Sequence, residues 1–169
     1  MNTLLQSFET ALQELDALLA TQPAMLPICI VGGYGVGKTT LVRYWLAQQF
    51  DEPEPYYCAL GRPLLDALKR EGDLARLAGS PDECRILLRL ALQEILGREY
   101  ERHDVVVIDG IDVLRPYRVL LLSNVQQHTR QGKLGIVCVP RSDEGDFRFE
   151  LPAAVCHQLT IEDNVSPEA

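Results

Sequence analysis

Short apolar runs alternate along the chain with longer stretches that have helical periodicity. Residues 28–31, 105–108 and 134–139 are almost entirely apolar, which is typical of strands covered on both faces of a sheet. Residues 56–60 predict a fourth strand, and residues 154–161 alternate between apolar and polar positions as an edge strand does. Strands that alternate with helices predict an α/β fold, here a three-layer sandwich around a five-stranded parallel sheet.

The predicted helices divide the chain into a leading segment, a core and a tail. Residues 1–22 carry a leucine stripe and predict an N-terminal amphipathic helix. We expect this helix to need a partner surface, because an isolated helix of this length is marginal in water. Residues 23–161 predict the core, which includes helices over 38–49 and 116–130, and residues 162–169 predict a tail.

Residues 61–103, between the second and third strands, predict a helical segment in two pieces. The second piece opens with Ser80 and has Glu83 three positions later, which predicts a capping box at the helix start. Gly97 is a candidate end of this helix. The predicted buried face consists of Ile86, Leu87, Leu90, Ala91 and Ile95.

Composition narrows the classes of protein that the pattern allows. The 169 residues suit one domain, and 47% hydrophobic with 24% charged residues is an ordinary globular balance. No apolar run reaches the roughly 18 residues of a membrane span. The net charge of −8 gives no indication of direct nucleic-acid binding. The five cysteines contain no CxxC pair, which favours buried thiols and a cytoplasmic location.

A glycine-rich segment between the first strand and the next helix matches the pattern GxxxxGK[ST]. In this pattern backbone N–H groups surround phosphate oxygens, and the helix N-terminus adds its positive end. Lys38 is then the side chain that reaches the β- and γ-phosphates of ATP, and Thr39 is a ligand of Mg²⁺. The predicted nucleotide-binding residues are Gly32, Gly33, Tyr34, Gly35, Val36, Gly37, Lys38, Thr39 and Thr40.

Two acidic residues follow the strand at 105–108. Asp109 ends a buried strand, so it lies at the carboxyl edge of the sheet, where ligands bind in open α/β folds. We therefore predict that Asp109 holds Mg²⁺ together with Thr39; the alternative is an exposed loop carboxylate. Asp112 lies three positions further on, and its alternative interpretation is an acid at a helix start.

The order of these elements and motifs resembles the core of the AAA+ and STAND ATPases among the P-loop NTPases, over residues 26–161 and without a helical lid. In this resemblance the GxxxxGK[ST] segment is the Walker A motif and Asp109 is the Walker B acid. Many AAA+ proteins have Glu directly after that acid, whereas this chain has Gly110, which implies slow hydrolysis. The Asp-Gly-Ile-Asp spacing is similar to that of the NACHT branch and implies that Asp112 orients the attacking water.

Two arginines gain candidate roles from the same resemblance. Arg141 matches the arginine with which STAND proteins sense the γ-phosphate, although Val139-Pro140 departs from the polar pair that precedes it there. Arg148 lies in a segment similar to the Gly-Arg-Phe-Asp of AAA+ proteins, whose arginine reaches the nucleotide of a neighbouring subunit. The alternatives are a surface arginine at 141 and a locally paired one at 148.

The predicted function is that of an ATP-binding, Mg²⁺-dependent and slow ATPase that works as a homo-oligomer or with a larger ATPase partner. The tract at 109–122 also resembles the small BrxF ATPases of BREX systems, which implies a role in anti-phage defence. One alternative is a nucleotide or small-molecule kinase, because residues 61–103 contain seven arginines. Another is a non-hydrolysing adaptor that responds to nucleotide.

Overall fold

The computed structural model describes residues 2–21, 26–141 and 156–161, with side chains described from residue 8 onwards and up to residue 20 in the first helix. The strands within these ranges form one sheet in the order β2-β3-β4-β1-β5, in which every neighbouring pair is parallel. The predicted five-stranded parallel sheet is thereby confirmed. The strands are β1 (Ile28–Gly32), β2 (Tyr57–Ala59), β3 (Val105–Asp109), β4 (Leu134–Pro140) and β5 (His157–Thr160).

Helices cover both faces of this sheet. Along β3, Val106 and Ile108 belong to one apolar cluster and Val107 belongs to the other. The first cluster lies under the four helices between residues 61 and 129, and the second lies under the helices over residues 2–21 and 38–49, an arrangement compatible with a three-layer α/β fold. The helices are α1 (Asn2–Thr21), α2 (Lys38–Gln49), α3 (Gly61–Glu71), α4 (Leu74–Ala78), α5 (Pro81–Arg102) and α6 (Leu121–Thr129).

The predicted N-terminal helix is α1, which packs against α2 and the edge strand β5. Leu15 is fully buried and Ala11 is nearly so, while Phe8, Leu12 and other members of the stripe pack around the second cluster. From Phe8 to Leu19 the apolar stripe therefore packs against this chain itself. None of the helices in the described part of the chain has the length and apolarity needed to span a bilayer.

Three predictions about residues 61–103 are wrong. The region forms three helices, and the last of them continues through Gly97 to Arg102. The Ser80 side chain makes no capping hydrogen bond, and Glu83 instead forms an ion pair of 3.0 Å with Arg76. Because Glu83 is engaged across to α4, the predicted capping box does not form.

The predicted buried face of α5 is also wrong in part, because this helix carries apolar residues on two adjacent stripes. Ile86 and Leu90 are 50% and 53% exposed. Packing against α3 and α6 buries one of the two stripes, and the sequence pattern by itself does not decide between them. The stripe that is buried consists of Cys84, Leu88, Ala91, Leu92, Leu96 and Tyr100.

The predicted helix over 116–130 is shorter in the structure, where α6 begins at Leu121. Two 3₁₀ turns come first, Ile111–Val113 and Arg115–Tyr117. Arg118 then adopts a left-handed conformation with φ of 52°, which interrupts any helix. The predicted last strand is confirmed at the sheet edge over His157–Thr160, and the first residues of the predicted range lie outside the described residues.

The parallel strands bring their carboxyl ends to the same end of the sheet. In open α/β sheets, ligands bind beyond the carboxyl ends of the strands. This topology places the residues that follow β1, β3 and β4 around one space.

Candidate functional site

The glycine-rich loop, residues 32–39, connects β1 to α2 by a turn that only some residues can adopt. Gly35 and Gly37 have φ values of 77° and 99°, in the left-handed region that glycine occupies without strain. The first hydrogen bond of α2 runs from the Leu41 amide to the Gly37 carbonyl, so the preceding amides of the first turn have no acceptor within the helix. Because Gly37 provides no side-chain cap, these N–H groups are placed to bind an anion.

Lys38 lies inside the curve of this loop. Its Nζ donates to the carbonyl oxygens of Gly32 at 2.5 Å and of Gly33 at 2.7 Å. These contacts account for two of the three N–H donors of an ammonium group, which leaves one for an anion at the loop. The Nζ also lies 5.9 Å from the centre of the Tyr34 ring. The loop carbonyls thus hold the charge of Lys38 at the centre of the turn.

A cavity of about 390 Å³ opens between this loop and the residues that follow β3. Its volume falls within the range of small-molecule sites. The structure brings together here most of the predicted site residues, with the rest of the loop behind them. The lining residues are Tyr34, Gly35, Gly37, Lys38, Thr39, Thr40, Asp109, Gly110, Ile111, Asp112, Cys138 and Pro140.

Asp109 is held in place at the end of β3 by three donors. Thr39 donates its hydroxyl to Oδ2 at 2.5 Å across 70 residues of sequence. Tyr57 donates its hydroxyl to the same oxygen at 2.7 Å, and the Gly110 amide donates to Oδ1 at 2.8 Å. The hydroxyl of Thr39 and the carboxylate of Asp109 therefore form one group of oxygen ligands, the type that Mg²⁺ binds.

Tyr57 is a part of the site that the sequence analysis missed. It pairs with Val107 in the sheet, and its long side chain extends past Ala59 to the carboxylate at the strand end. Partial burial and the hydrogen bond to Asp109 raise the pKa of Tyr57 to about 12, so the hydroxyl remains a donor at neutral pH. The Arg43 guanidinium lies 4.3 Å from the Tyr57 ring centre and holds the ring from the other side.

Asp112 is exposed on the 3₁₀ turn after β3 and is bound by a different tyrosine. Tyr34 donates its hydroxyl to Oδ1 of Asp112 at 2.6 Å. Arg115, which is only 8% exposed, donates from Nη1 to the same hydroxyl at 3.1 Å. The hydrogen bond to the carboxylate raises the pKa of Tyr34, with burial as a smaller cause.

The two predicted arginines follow β4 in the sequence. Arg141 is half-buried directly after β4, and its neighbour Pro140 lines the cavity, but Arg141 is not among the described lining residues. Arg148 lies outside the described residues. Buried Arg115 is an arginine that the sequence analysis did not select; its position within an apolar tract, Val113-Leu-Arg-Pro, was the available signal.

The charges around the cavity fit a phosphate ligand that arrives with a divalent cation. Lys38 and the helix N-terminus attract an anion, whereas Asp109 and Asp112 would repel phosphate unless a cation lay between them. Within the described part of the chain no three His, Cys, Asp or Glu side chains cluster as metal ligands. A cation here would accordingly bind Thr39 and Asp109 and complete its shell with water and ligand oxygens, which is the usual mode of Mg²⁺.

Comparisons with protein-family models, with curated proteins and with solved structures found no match for this chain.

Proposed function

We propose that the chain binds ATP with Mg²⁺ in this cavity and hydrolyses it slowly, as a small P-loop ATPase of the AAA+ or STAND type. The observation that carries the proposal is the hydrogen bond between Thr39 and Asp109. A GxxxxGK[ST] loop and the acid at the end of a buried strand, 70 residues apart, meet at one point of the cavity. A nucleotide triphosphate with its cation needs such a combination.

The chemistry of each side chain suits it to a different role in binding and hydrolysis. The loop amides and Lys38 would bind the phosphate oxygens, and the oxygens of Thr39 and Asp109 would hold the cation. Bound Mg²⁺ offsets the negative charge of the phosphates and of the two carboxylates. Asp112 would accept a hydrogen bond from the attacking water and so orient it, which is the main contribution a protein makes to phosphoryl transfer.

Slow turnover follows from the residue after Asp109. Gly110 has no side chain, so Asp112, one 3₁₀ turn further on, is the acid proposed to orient water. Asp112 is exposed, and water competes there for its carboxylate. We propose that activity rises when the chain assembles with itself or with a larger ATPase, and that such an assembly serves in anti-phage defence. Mass by light scattering with and without ATP and Mg²⁺ tests the assembly.

The thermal stability of Lys38→Ala tests nucleotide binding. A ligand at about 100 times its Kd stabilises the folded state by about 2.7 kcal/mol. For a chain of this size that corresponds to a rise in Tm of about 5–10 °C. We expect this rise with ATP and Mg²⁺ for the parental chain and for Lys69→Ala, an exposed lysine on α3, but not for Lys38→Ala. An equal rise in Lys38→Ala contradicts the proposed site.

The local ion pairs of residues 61–103 do not favour the kinase alternative. Arg76, Arg85 and Arg98 pair with acids on their own or an adjacent helix, at 3.0, 3.5 and 2.8 Å. These arginines therefore form exposed local pairs rather than an open set of phosphate ligands. Phosphate release measured with and without a panel of nucleoside acceptors separates the two activities. An ATP-dependent rise in Tm without any turnover would favour the adaptor.

A further inference from the structure

Tyr34 connects the glycine-rich loop to the acid that is proposed to orient water. Its hydroxyl donates to Oδ1 of Asp112 at 2.6 Å and accepts from the buried Arg115 at 3.1 Å. The Tyr34 side chain itself is 63% exposed, so apolar packing does not account for its position. The hydrogen bonds at its hydroxyl therefore hold this ring in the lining of the cavity, between the loop and the turn after β3.

The two hydrogen bonds of the Tyr34 hydroxyl reinforce each other. A hydroxyl that accepts a hydrogen bond from a cation becomes a stronger donor, because its O–H bond is further polarised. Arg115 thus strengthens the bond from Tyr34 to Asp112. This bond occupies Oδ1 and restricts rotation of the carboxylate, while Oδ2 keeps its capacity to accept a hydrogen bond from a water.

We propose, on the basis of the function proposed above, that Tyr34 is a positioning residue that orients the Asp112 carboxylate towards the attacking water. A strong donor lowers the basicity of the carboxylate, but a loose phosphoryl-transfer transition state needs an oriented water more than a strong base. The hydroxyl of Tyr34 contributes orientation, and Arg115 supports it from the protein interior.

The position of Tyr34 also links phosphate binding to the placement of Asp112. Tyr34 lies four residues before Lys38 on the loop that would surround the phosphates. A nucleotide that binds this loop also restricts Tyr34, and that restriction extends through the Tyr34 hydroxyl to Asp112.

The substitution Tyr34→Phe removes the hydroxyl and keeps the ring, including its proximity to Lys38. We expect kcat for phosphate release to fall about 10-fold, because a hydrogen bond to a charged group is lost. The ATP concentration needed for a given rise in Tm should change less than about 2-fold. Tyr44→Phe is the matched control: Tyr44 is a half-exposed tyrosine on α2 outside the cavity, in edge contact with Phe8.

A double-mutant cycle with Asp112→Asn tests whether Tyr34 acts through Asp112. We expect Tyr34→Phe to lower kcat in the parental chain and to have no further effect in Asp112→Asn. A full additional loss in that background overturns the proposal, because it would mean that Tyr34 acts on the loop or on the fold. An unchanged kcat in Tyr34→Phe, beside an active parental chain, overturns it as well.

Binding of a transition-state mimic separates this inference from the proposed function. ADP with Mg²⁺ and aluminium fluoride should raise the Tm of the parental chain more than a non-hydrolysable ATP analogue does, and Tyr34→Phe should lose that excess. A parental chain that neither nucleotide stabilises contradicts the proposed function. A parental chain with the excess, equally retained in Tyr34→Phe, contradicts the role of Tyr34 alone.

Discussion

Asp109 and Asp112 lie three residues apart in the sequence and on the same cavity, but the structure holds them in different ways. Asp109 ends an interior strand of the sheet and receives donors from β2, from α2 and from its own turn. Asp112 lies on an exposed turn, and its described hydrogen bond comes from the loop tyrosine Tyr34. The first carboxylate is placed by the sheet, and the second is placed by the glycine-rich loop.

This difference matches the tasks that we propose for the two acids. A cation ligand has to be in position before the cation arrives, and the sheet provides that rigidity. An acid that orients water is useful only when phosphate is bound, and a connection through the loop links the two events. The two tyrosines differ in the same way as the acids that they contact. Tyr57, which donates to Asp109, is half-buried beside Arg43, whereas Tyr34, which donates to Asp112, is mostly exposed.

The largest effect is expected from Asp109→Asn. The amide oxygen can still accept from Thr39 and Tyr57, but it lacks the charge that holds the cation. Loss of such an electrostatic group costs about 100-fold or more in turnover. Phosphate release and a Mg²⁺ titration of the ATP-dependent Tm shift measure it.

Asp104→Asn is the control for that variant, because Asp104 lies before β3 at the opposite end of the same strand. Asp104 forms an exposed ion pair with Lys133, which lowers the pKa of its carboxyl. Such pairs contribute little to stability, so turnover should be unchanged. Equal losses in the two variants would mean that the strand, and not the cavity, explains the result.

Asp112→Asn should have the next largest effect and should leave ATP binding intact. We expect kcat to fall about 10- to 100-fold, because an amide orients water less well than a carboxylate. The ATP concentration needed for a given rise in Tm should stay within about 2-fold of the parental value, because Asp109 still holds the cation. Steady-state phosphate release at the parental rate would remove Asp112 from the mechanism.

Tyr57→Phe should change the Mg²⁺ dependence of turnover, whereas Tyr34→Phe should change kcat. Loss of the hydroxyl leaves Oδ2 of Asp109 with one donor fewer, and loss of such a supporting group weakens metal binding about 10-fold. The Mg²⁺ concentration at half-maximal turnover should rise by that factor, with kcat at saturating Mg²⁺ little changed. Tyr34→Phe should show the opposite pattern, and the same pattern in both variants would contradict the division between the acids.

The smallest effect is expected from Gly110→Ala, which changes the left-handed turn between Asp109 and Asp112. Gly110 has φ of 70°, and an added Cβ would lie 3.3 Å from the Gly61 amide nitrogen. A left-handed alanine costs about 1–2 kcal/mol. Gly132→Ala has the same backbone strain, with φ of 86°, and open space around its Cβ. In urea unfolding the free energy should fall in both variants and fall further in Gly110→Ala; equal losses would mean that the contact with Gly61 is unimportant.

Local patterns were enough to predict the strands and the glycine-rich loop. The apolar runs of β1, β3 and β4 are buried on both faces, as their lack of alternation indicates. The loop motif lies between β1 and α2 because glycine at 35 and 37 allows the chain to turn there. Asp109 could be placed at the edge of the sheet because it directly follows a buried strand.

Local patterns gave wrong predictions where the neighbouring residues in the sequence favoured two arrangements equally. The helix α5 offers two apolar stripes, and neighbouring helices chose the one that begins at Cys84 over the one with Ile86 and Leu90. Ser80 and Glu83 satisfied a capping pattern, but a guanidinium on α4 was the stronger partner for Glu83. The periodicity of apolar residues within one helix does not predict which contacts that helix makes with its neighbours.

The sequence by itself determined the class of fold, the parallel sheet and the place of the glycine-rich loop, because each depends on residues adjacent in the chain. Only the tertiary structure decided the strand order, and with it the meeting of Thr39 and Tyr57 at Asp109. The contact of Tyr34 with Asp112 has the same origin. These contacts join residues 52 to 78 positions apart, and a hydrogen bond at that separation is set by how the layers pack, not by the local preference of either residue.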